Sequence, residues 1–337
     1  MKPVVRNFFL AFGVISIIVM LFTFDDGYEH IQEHLRSAGV YLPAVIGVWV
    51  FIYLCETRAF QLIVNSGKQV VHMHFRYAFK LSLSGFAFSA TTPLGLGGSP
   101  YRMMEMAKYV GIPRAMSNVV LYSMMQILSQ FLLWTTVVGV LLCTYLDQMN
   151  TVLWVVLAVY LVILVGALLV FNYGYHHGLI EKLYCLIVLN IPFVKKPLQR
   201  FYDKQKEAMQ EIDHHTSCLL RHPRDFWGSL AYEYLARIIQ GSEYYLILTA
   251  FGLSISYSDA LLILAFSSLV GNVLFFLPMQ LGAREGGVGA IVSLLGITTV
   301  GVGVFAGFYT RIREIFWMIV GVCLVKVGNK GIMKVKE

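Results

Sequence analysis

The sequence predicts an all-α integral membrane protein. Its expected plan is two inverted repeats of span, re-entrant helical hairpin and span, with about six full spans in all. Three observations carry this. First, 58% of the 337 residues are hydrophobic and only 13% are charged, against about a quarter charged in soluble domains. Second, the long apolar runs are interrupted twice by Pro, Gly and charge, at Thr92 to Arg102 and at Leu277 to Gly287. Third, the two interruptions superpose when one is shifted by 185 positions. Pro93 then falls on Pro278, Leu96-Gly97 on Leu281-Gly282, Gly111-Ile112 on Gly296-Ile297, Ile127 on Ile312 and Phe131 on Phe316. Such self-similarity marks an internal repeat.

The elements follow from composition. Residues 8–24 are nearly all apolar behind Lys2 and Arg6 and lack a small-residue cleavage pattern, so an uncleaved first span is expected. Residues 25–39 are polar. Span two covers about 40–63, with Pro43 near its start. Residues 81–96 are short for a crossing, and 100–112 carry Arg102, Glu105 and Lys108, too polar to face lipid. Span three covers about 115–146, and span four 151–172 after the turn Asp147 to Asn150. The basic stretch 173–225 is too short to be a separate domain. Span five covers about 226–252, then 257–277 leads into the second interruption, 284–297 is a short Gly-rich segment, and span six covers about 303–326. The whole chain reads as one transmembrane domain, with repeat 1 at about 40–146 and repeat 2 at about 225–330.

Charge sets the orientation. With the N-terminus inside, the outer segments 25–39, 147–150 and 253–259 hold Arg36 and no Lys. The basic loops 57–80 and 173–225 and the Lys-rich C-terminus then fall inside, as the positive-inside rule requires. This holds only if 81–112 and 257–297 each leave on the side they entered. The first hairpin thus enters from the cytoplasm and the second from outside. Both termini are expected in the cytoplasm of a cell-membrane protein. The net charge of +7 belongs to these loops and implies no nucleic-acid partner.

The hairpin tips carry the chemistry. Pro93, Gly97, Gly98 and Ser99 form the first, and Pro278, Gly282 and Gly286 the second. Ser99-Pro100 reads as an N-cap followed by Pro at the first helical position. Half-helix N-termini at membrane depth offer unsatisfied N–H groups and partial positive charge to an anion. Arg102 lies one turn into the first and Arg284 at the second, and Arg suits phosphate. The bland alternative pairs Arg102 with Glu105 and Arg284 with Glu285 as closed local bridges, with the glycines serving only packing. Intramembrane charge favours function. Arg311 shares a face with Glu314, and Arg237 with Glu233; both arginines are expected to face the cavity. Gln126 falls on Arg311 under the shift. Glu285, Glu105 and Glu314 are the candidate proton-coupling carboxylates, and Glu56-Arg58 marks an interface. The five cysteines and the paired histidines show no metal spacing, and no nucleophile elbow, P-loop or dinucleotide motif occurs, so no metal, cofactor or catalytic activity is expected.

At these residues the chain resembles a known family. The run Pro278 to Glu285 with Leu295-Gly296-Ile297, the run Gly97 to Arg102 with Gly111-Ile112, and Arg311 are similar to blocks of the lysylphosphatidylglycerol synthase transmembrane region. That region is the flippase-like domain of the multiple peptide resistance factor. Gln280 replaces the family's usual Gly, Ser99-Pro100-Tyr101 replaces a Gly-Glu, and Gln126 stands where Arg is common. The resemblance covers about residues 5–330 and implies a stand-alone member, without synthase or glycosyltransferase domain. It implies movement of an anionic phospholipid or a polyprenyl-phosphate-linked lipid between leaflets. Two other readings stay open. One is a membrane enzyme acting on a lipid phosphate, with Arg102 and Arg284 as clamps and Glu285 as base. The other is a non-transporting partner of a separate glycosyltransferase or synthase.

Overall fold

The structure, a computed structural model, describes residues 28–66, 71–92, 97–145, parts of 151–169, 223–274, 280, 282–326 and 333–335. The expected first span, Pro93, Pro278 and nearly all of the basic stretch 173–225 lie outside the described residues.

Two series of helices share one order of lengths. The first is α1 (Tyr28–Val64), α2 (Phe75–Thr91), α3 (Gly98–Val110) and α4 (Ile112–Tyr145). The second is α5 (Pro223–Ala250), α6 (Tyr257–Val273), α7 (Ala283–Leu294) and α8 (Val300–Val325). Each runs long, short, short, long. At 1.5 Å per residue the short helices span about 18–26 Å, less than a hydrocarbon core of about 30 Å. Among the described residues, Gly39–Val64 and Ile112–Thr144 are long and apolar enough to cross a bilayer. Helices α5 and α8 are also long, but their interiors carry charge.

Boundaries shift little from the sequence expectation, except at α2, which begins at Phe75 rather than near 81, and at α1. Helix α1 begins at Tyr28, well before the apolar band, and continues through Pro43. Hydropathy locates the membrane, but the backbone hydrogen-bond ladder continues wherever nothing interrupts it. A small sheet was also not anticipated: β1 (Val71–Met73) pairs antiparallel with β2 (Met333–Val335). It joins the loop after α1 to the C-terminal segment, so both lie on one side of the molecule.

The packing crosses between the series. Helix α1 lies along α5, α4 packs on α6, and α8 packs on α2. Small residues allow the close approaches. The Ser84 hydroxyl on α2 donates to the Gly321 carbonyl on α8 at 3.0 Å. A Cβ at Gly307 would sit 2.8 Å from the Glu285 Cα, so α7 and α8 touch through backbone there.

One buried ion pair ties four elements together. Arg313 of α8 donates from Nε and Nη2 to both oxygens of Glu243 on α5, at 2.9 and 3.0 Å. Trp49 of α1 donates its indole N–H to the same carboxylate at 3.1 Å, and the Arg313 guanidinium lies 3.6 Å from the Trp49 ring centroid. Tyr53 and Trp317 meet edge to face beside it, and Leu83 brings in α2. Arg313 and Glu243 are each about 1% exposed, so removing either partner strands a charge. Glu243→Ala and Arg313→Ala are each expected to cost about 3–5 kcal/mol, whereas the apolar double replacement Arg313→Met/Glu243→Leu should be near neutral. Thermal unfolding of the purified variants in detergent checks this; equal damage from all three would show that packing, not charge, is at stake.

Candidate functional site

A cavity of about 540 Å³ opens between α4, α5, α6 and the start of α7. Arg237 and Arg284 line it from opposite helices. Amides surround them: Gln126 and Gln130 from α4, Gln240 from α5, Asn272 from α6, and Gln280. Ser123 and Ser268 add hydroxyls, and Ile127, Phe131, Trp134 and Leu264 form its apolar wall. Among the described residues no carboxylate lines it. The volume falls in the usual range for a small-molecule site. Two guanidiniums and five amides, with no carboxylate among the described lining residues, offer hydrogen-bond donors to an anion.

Local structure places these groups. Gln126 and Gln130 are one turn apart on α4, as are Arg237 and Gln240 on α5, so each helix turns one polar stripe into an otherwise apolar setting. Arg237 donates to Gln240 Oε1 at 3.4 Å, and its Nε has no hydrogen-bond partner. Gln130 Nε2 and Trp134 Nε1 both donate to the Ser268 hydroxyl at 3.0 Å, pinning α4 to α6. Gln280 holds a left-handed backbone (φ 53°). Only Gly adopts that conformation without steric cost, so Gln280 is strained there. The strain is tied down, since the Gln280 carbonyl accepts from Arg311 Nη2 at 3.4 Å while its side chain reaches the cavity.

Behind the cavity stands an ion network. Arg284 Nη1 donates to Glu314 Oε1 at 2.7 Å. Arg311 donates to Glu285 Oε1 at 2.6 Å and to Glu314 Oε2 at 2.7 Å. Glu285 Oε2 also accepts from the Gly282 N–H at 2.9 Å, capping α7 from within. Gly282 has φ 79°, the left-handed region in which Gly is at ease. Arg313 approaches Glu314 at 3.8 Å and continues the chain to Glu243. Three guanidiniums face three carboxylates, so the network is neutral.

Several expectations change here. Arg237, Arg284 and Gln126 do meet at one cavity. Arg311 lies behind it, held by two glutamates, rather than lining it. Arg102 lies elsewhere: it is buried, donates to the Leu81 and Ser82 carbonyls at 3.4 Å, and sits 5.4 Å from the Tyr122 ring centroid. The local bridges are exchanged as well. Arg284 pairs with Glu314, not Glu285, and Glu105 pairs with exposed Lys108, not Arg102. Helix α3 starts at Gly98 with Gly97 as cap, whose N–H is accepted by Thr92 Oγ1 at 2.7 Å. Ser99 is exposed within the first turn, and Gly98 is buried. Gly286 sits in the first turn of α7, its N–H bonded to the Gly282 carbonyl at 2.9 Å. Among the described residues no group of three His, Cys, Asp or Glu side chains could hold a metal. The lining amides Gln130, Gln240, Asn272 and Gln280 were missed from sequence. The one-turn spacing of Gln126 with Gln130, and of Arg237 with Gln240, was the available signal.

Gln280→Gly should relieve the left-handed strain and leave stability equal or higher by about 0.5 kcal/mol once the added chain entropy is subtracted. Thermal unfolding beside the wild type measures it, and a clear loss of stability would mean that the Gln280 side chain is structural.

The family described as lysylphosphatidylglycerol synthase TM region matches residues 8–321. A relative described as "UPF0104 membrane protein", from Methanothermobacter thermautotrophicus, is 25% identical over 317 residues, covering 92% of this chain and 91% of that protein. No solved structure matches. With nearly the whole chain matched, and charged helices arranged around a cavity between apolar ones, the protein is a membrane protein that belongs to the lysylphosphatidylglycerol synthase transmembrane-region family.

Proposed function

We propose that the protein is a lipid transporter of the flippase type, moving an anionic phospholipid or a polyprenyl-phosphate-linked lipid between leaflets. The observation that carries this reading is the cavity: two arginines and five amides, with no acid among the described lining residues, set among helices of a membrane protein. Arg237 and Arg284 would hold the phosphate, and the surrounding amides its headgroup. Phe131, Trp134 and Leu264 offer an apolar wall to the lipid chains.

The packing supports an inverted repeat. Under the 185-residue shift α4 corresponds to α8 and α2 to α6, and the contact of α4 with α6 has its counterpart in that of α8 with α2. Helix α1 meets its own counterpart α5. In this plan the short pairs α2–α3 and α6–α7 are the two re-entrant hairpins, and rocking of one repeat against the other gives alternating access. The β1–β2 pairing keeps the 71–73 loop and the C-terminus on one face, as a cytoplasmic placement of both requires. The chain would then sit in the cell membrane with both termini inside.

Reconstitution in liposomes with fluorescent phospholipids and polyprenyl phosphates tests the proposal. Leaflet exchange above empty vesicles is expected for an anionic lipid. Exchange for none would remove it, and conversion of the lipid to a new species would favour the enzymatic reading instead. Arg237→Ala and Arg284→Ala should each slow exchange about 10- to 100-fold, the worth of a charge-assisted hydrogen bond, with expression retained. Exchange at the wild-type rate in both variants would place the anion elsewhere.

A further inference from the structure

Glu233 differs from the other buried acids among the described residues. Glu243 is held by Arg313 and Trp49, Glu285 by Arg311 and the Gly282 N–H, and Asp259 accepts from the Ser256 N–H. Glu233 is fully buried, and neither carboxylate oxygen has a hydrogen bond of normal length; its polar neighbour is the Tyr122 hydroxyl, which carries no charge to neutralise it. It lies on α5 four residues before Arg237, on the same face of the helix. The other groups that act on it are Glu56 and Cys55 from α1, Tyr122 from α4 and Arg102 from α3. Arg102 is spoken for by two backbone carbonyls and the Tyr122 ring. Arg237 is the cation one turn away, and its Nε is also without a partner.

A buried carboxylate reaches neutrality in two ways: it shares a cation, or it takes a proton. Arg237 faces both the Glu233 cluster and the cavity. We propose that Glu233 and a cavity anion compete for Arg237, so that binding one anionic headgroup loads one proton onto Glu233 and its departure discharges that proton. This rests on the reading of the cavity as an anion site. The exchange is balanced. Arg237 neutralised by ionised Glu233 becomes Arg237 neutralised by the anion beside protonated Glu233, the proton arriving from water and forming an O–H bond on the carboxylate. The cluster's net charge does not change. The proton carrier is then Glu233, not Glu314, whose oxygens are both held by guanidinium groups, or Glu285, whose oxygens are held by Arg311 and the Gly282 N–H.

The sign follows from linkage. Binding that takes up a proton weakens as pH rises, approaching tenfold in affinity per pH unit once Glu233 is ionised in the free protein. The test is calorimetric titration of the full-length protein in detergent with dioctanoyl phosphatidylglycerol, whose phosphodiester keeps one fixed charge across the working range. Repeating it in buffers of different ionisation enthalpy counts protons. Followed upward in pH until Glu233 is ionised in the free protein, uptake by the wild type should rise to close to one proton per lipid. Glu233→Gln should take up none and bind with a pH-independent affinity like that of the wild type at low pH, while Glu233→Asp should restore the uptake. Wild-type binding without proton uptake, or uptake that persists in Glu233→Gln, overturns the coupling and leaves the anion site standing. No wild-type binding at all overturns both.

Discussion

A guanidinium in a hydrocarbon setting must be neutralised, and the cost of failing is several kcal/mol. In this protein that requirement is met by pairs that cross between helices. Glu285 and Arg284 come from α7, Arg311, Arg313 and Glu314 from α8, and Glu243 from α5. Because each acid answers a base on another helix, the charges fix the rotation of α7 against α8 and of α8 against α5. The close backbone approach at Gly307 then brings Glu285 within reach of Arg311. A side chain at that position would separate the helices and unpair the ions together. Apolar packing in a bilayer is weakly directional, since lipid tails are as greasy as Leu. Here the directional information comes from polar groups.

The same accounting separates framework charge from working charge. Arg311 and Arg313 are each clamped by carboxylates, though Arg313 Nη1 has no hydrogen-bond partner, and Arg102 is held by carbonyls and an aromatic face. Arg237 has only an amide within hydrogen-bond reach. Arg284 shares Glu314 and still borders the cavity. A site that must bind and release an anion needs cations that are oriented but not fully satisfied, and these two fit that description. Their neighbours supply orientation through amides, which donate without adding charge.

The two halves are alike in backbone and different in chemistry. Helix lengths and crossing contacts repeat, but the buried arginine of the first short pair points into packed protein, while that of the second reaches a cavity. Gly111 and Gly296 share a left-handed backbone, whereas Gly97 (φ −76°) and Gly282 (φ 79°) do not match. Gln280 carries a side chain in a left-handed position, kept there by Arg311 and used to line the site.

Much of this was legible in the sequence. Apolar run length and composition located the helices from α3 to α8 to within a few residues, because burial in lipid imposes length and hydropathy directly. Helix spacing alone identified the Arg311–Glu314 pair and placed Glu233 beside Arg237, since residues three and four apart must share a face. Positions such as Arg237, Arg284 and Gln126 could be nominated from the cost of their polarity in an apolar run. What the sequence could not supply was the choice of partner. Arg284 takes Glu314 thirty residues away rather than its neighbour Glu285, Arg313 takes Glu243 seventy residues away, and Arg102 takes backbone carbonyls and no acid among the described residues. Those choices depend on how helices cross and rotate, and that is set by packing among residues far apart in the chain. For the same reason only the tertiary structure could leave Glu233 buried without a hydrogen bond of normal length beside a cation that faces the cavity.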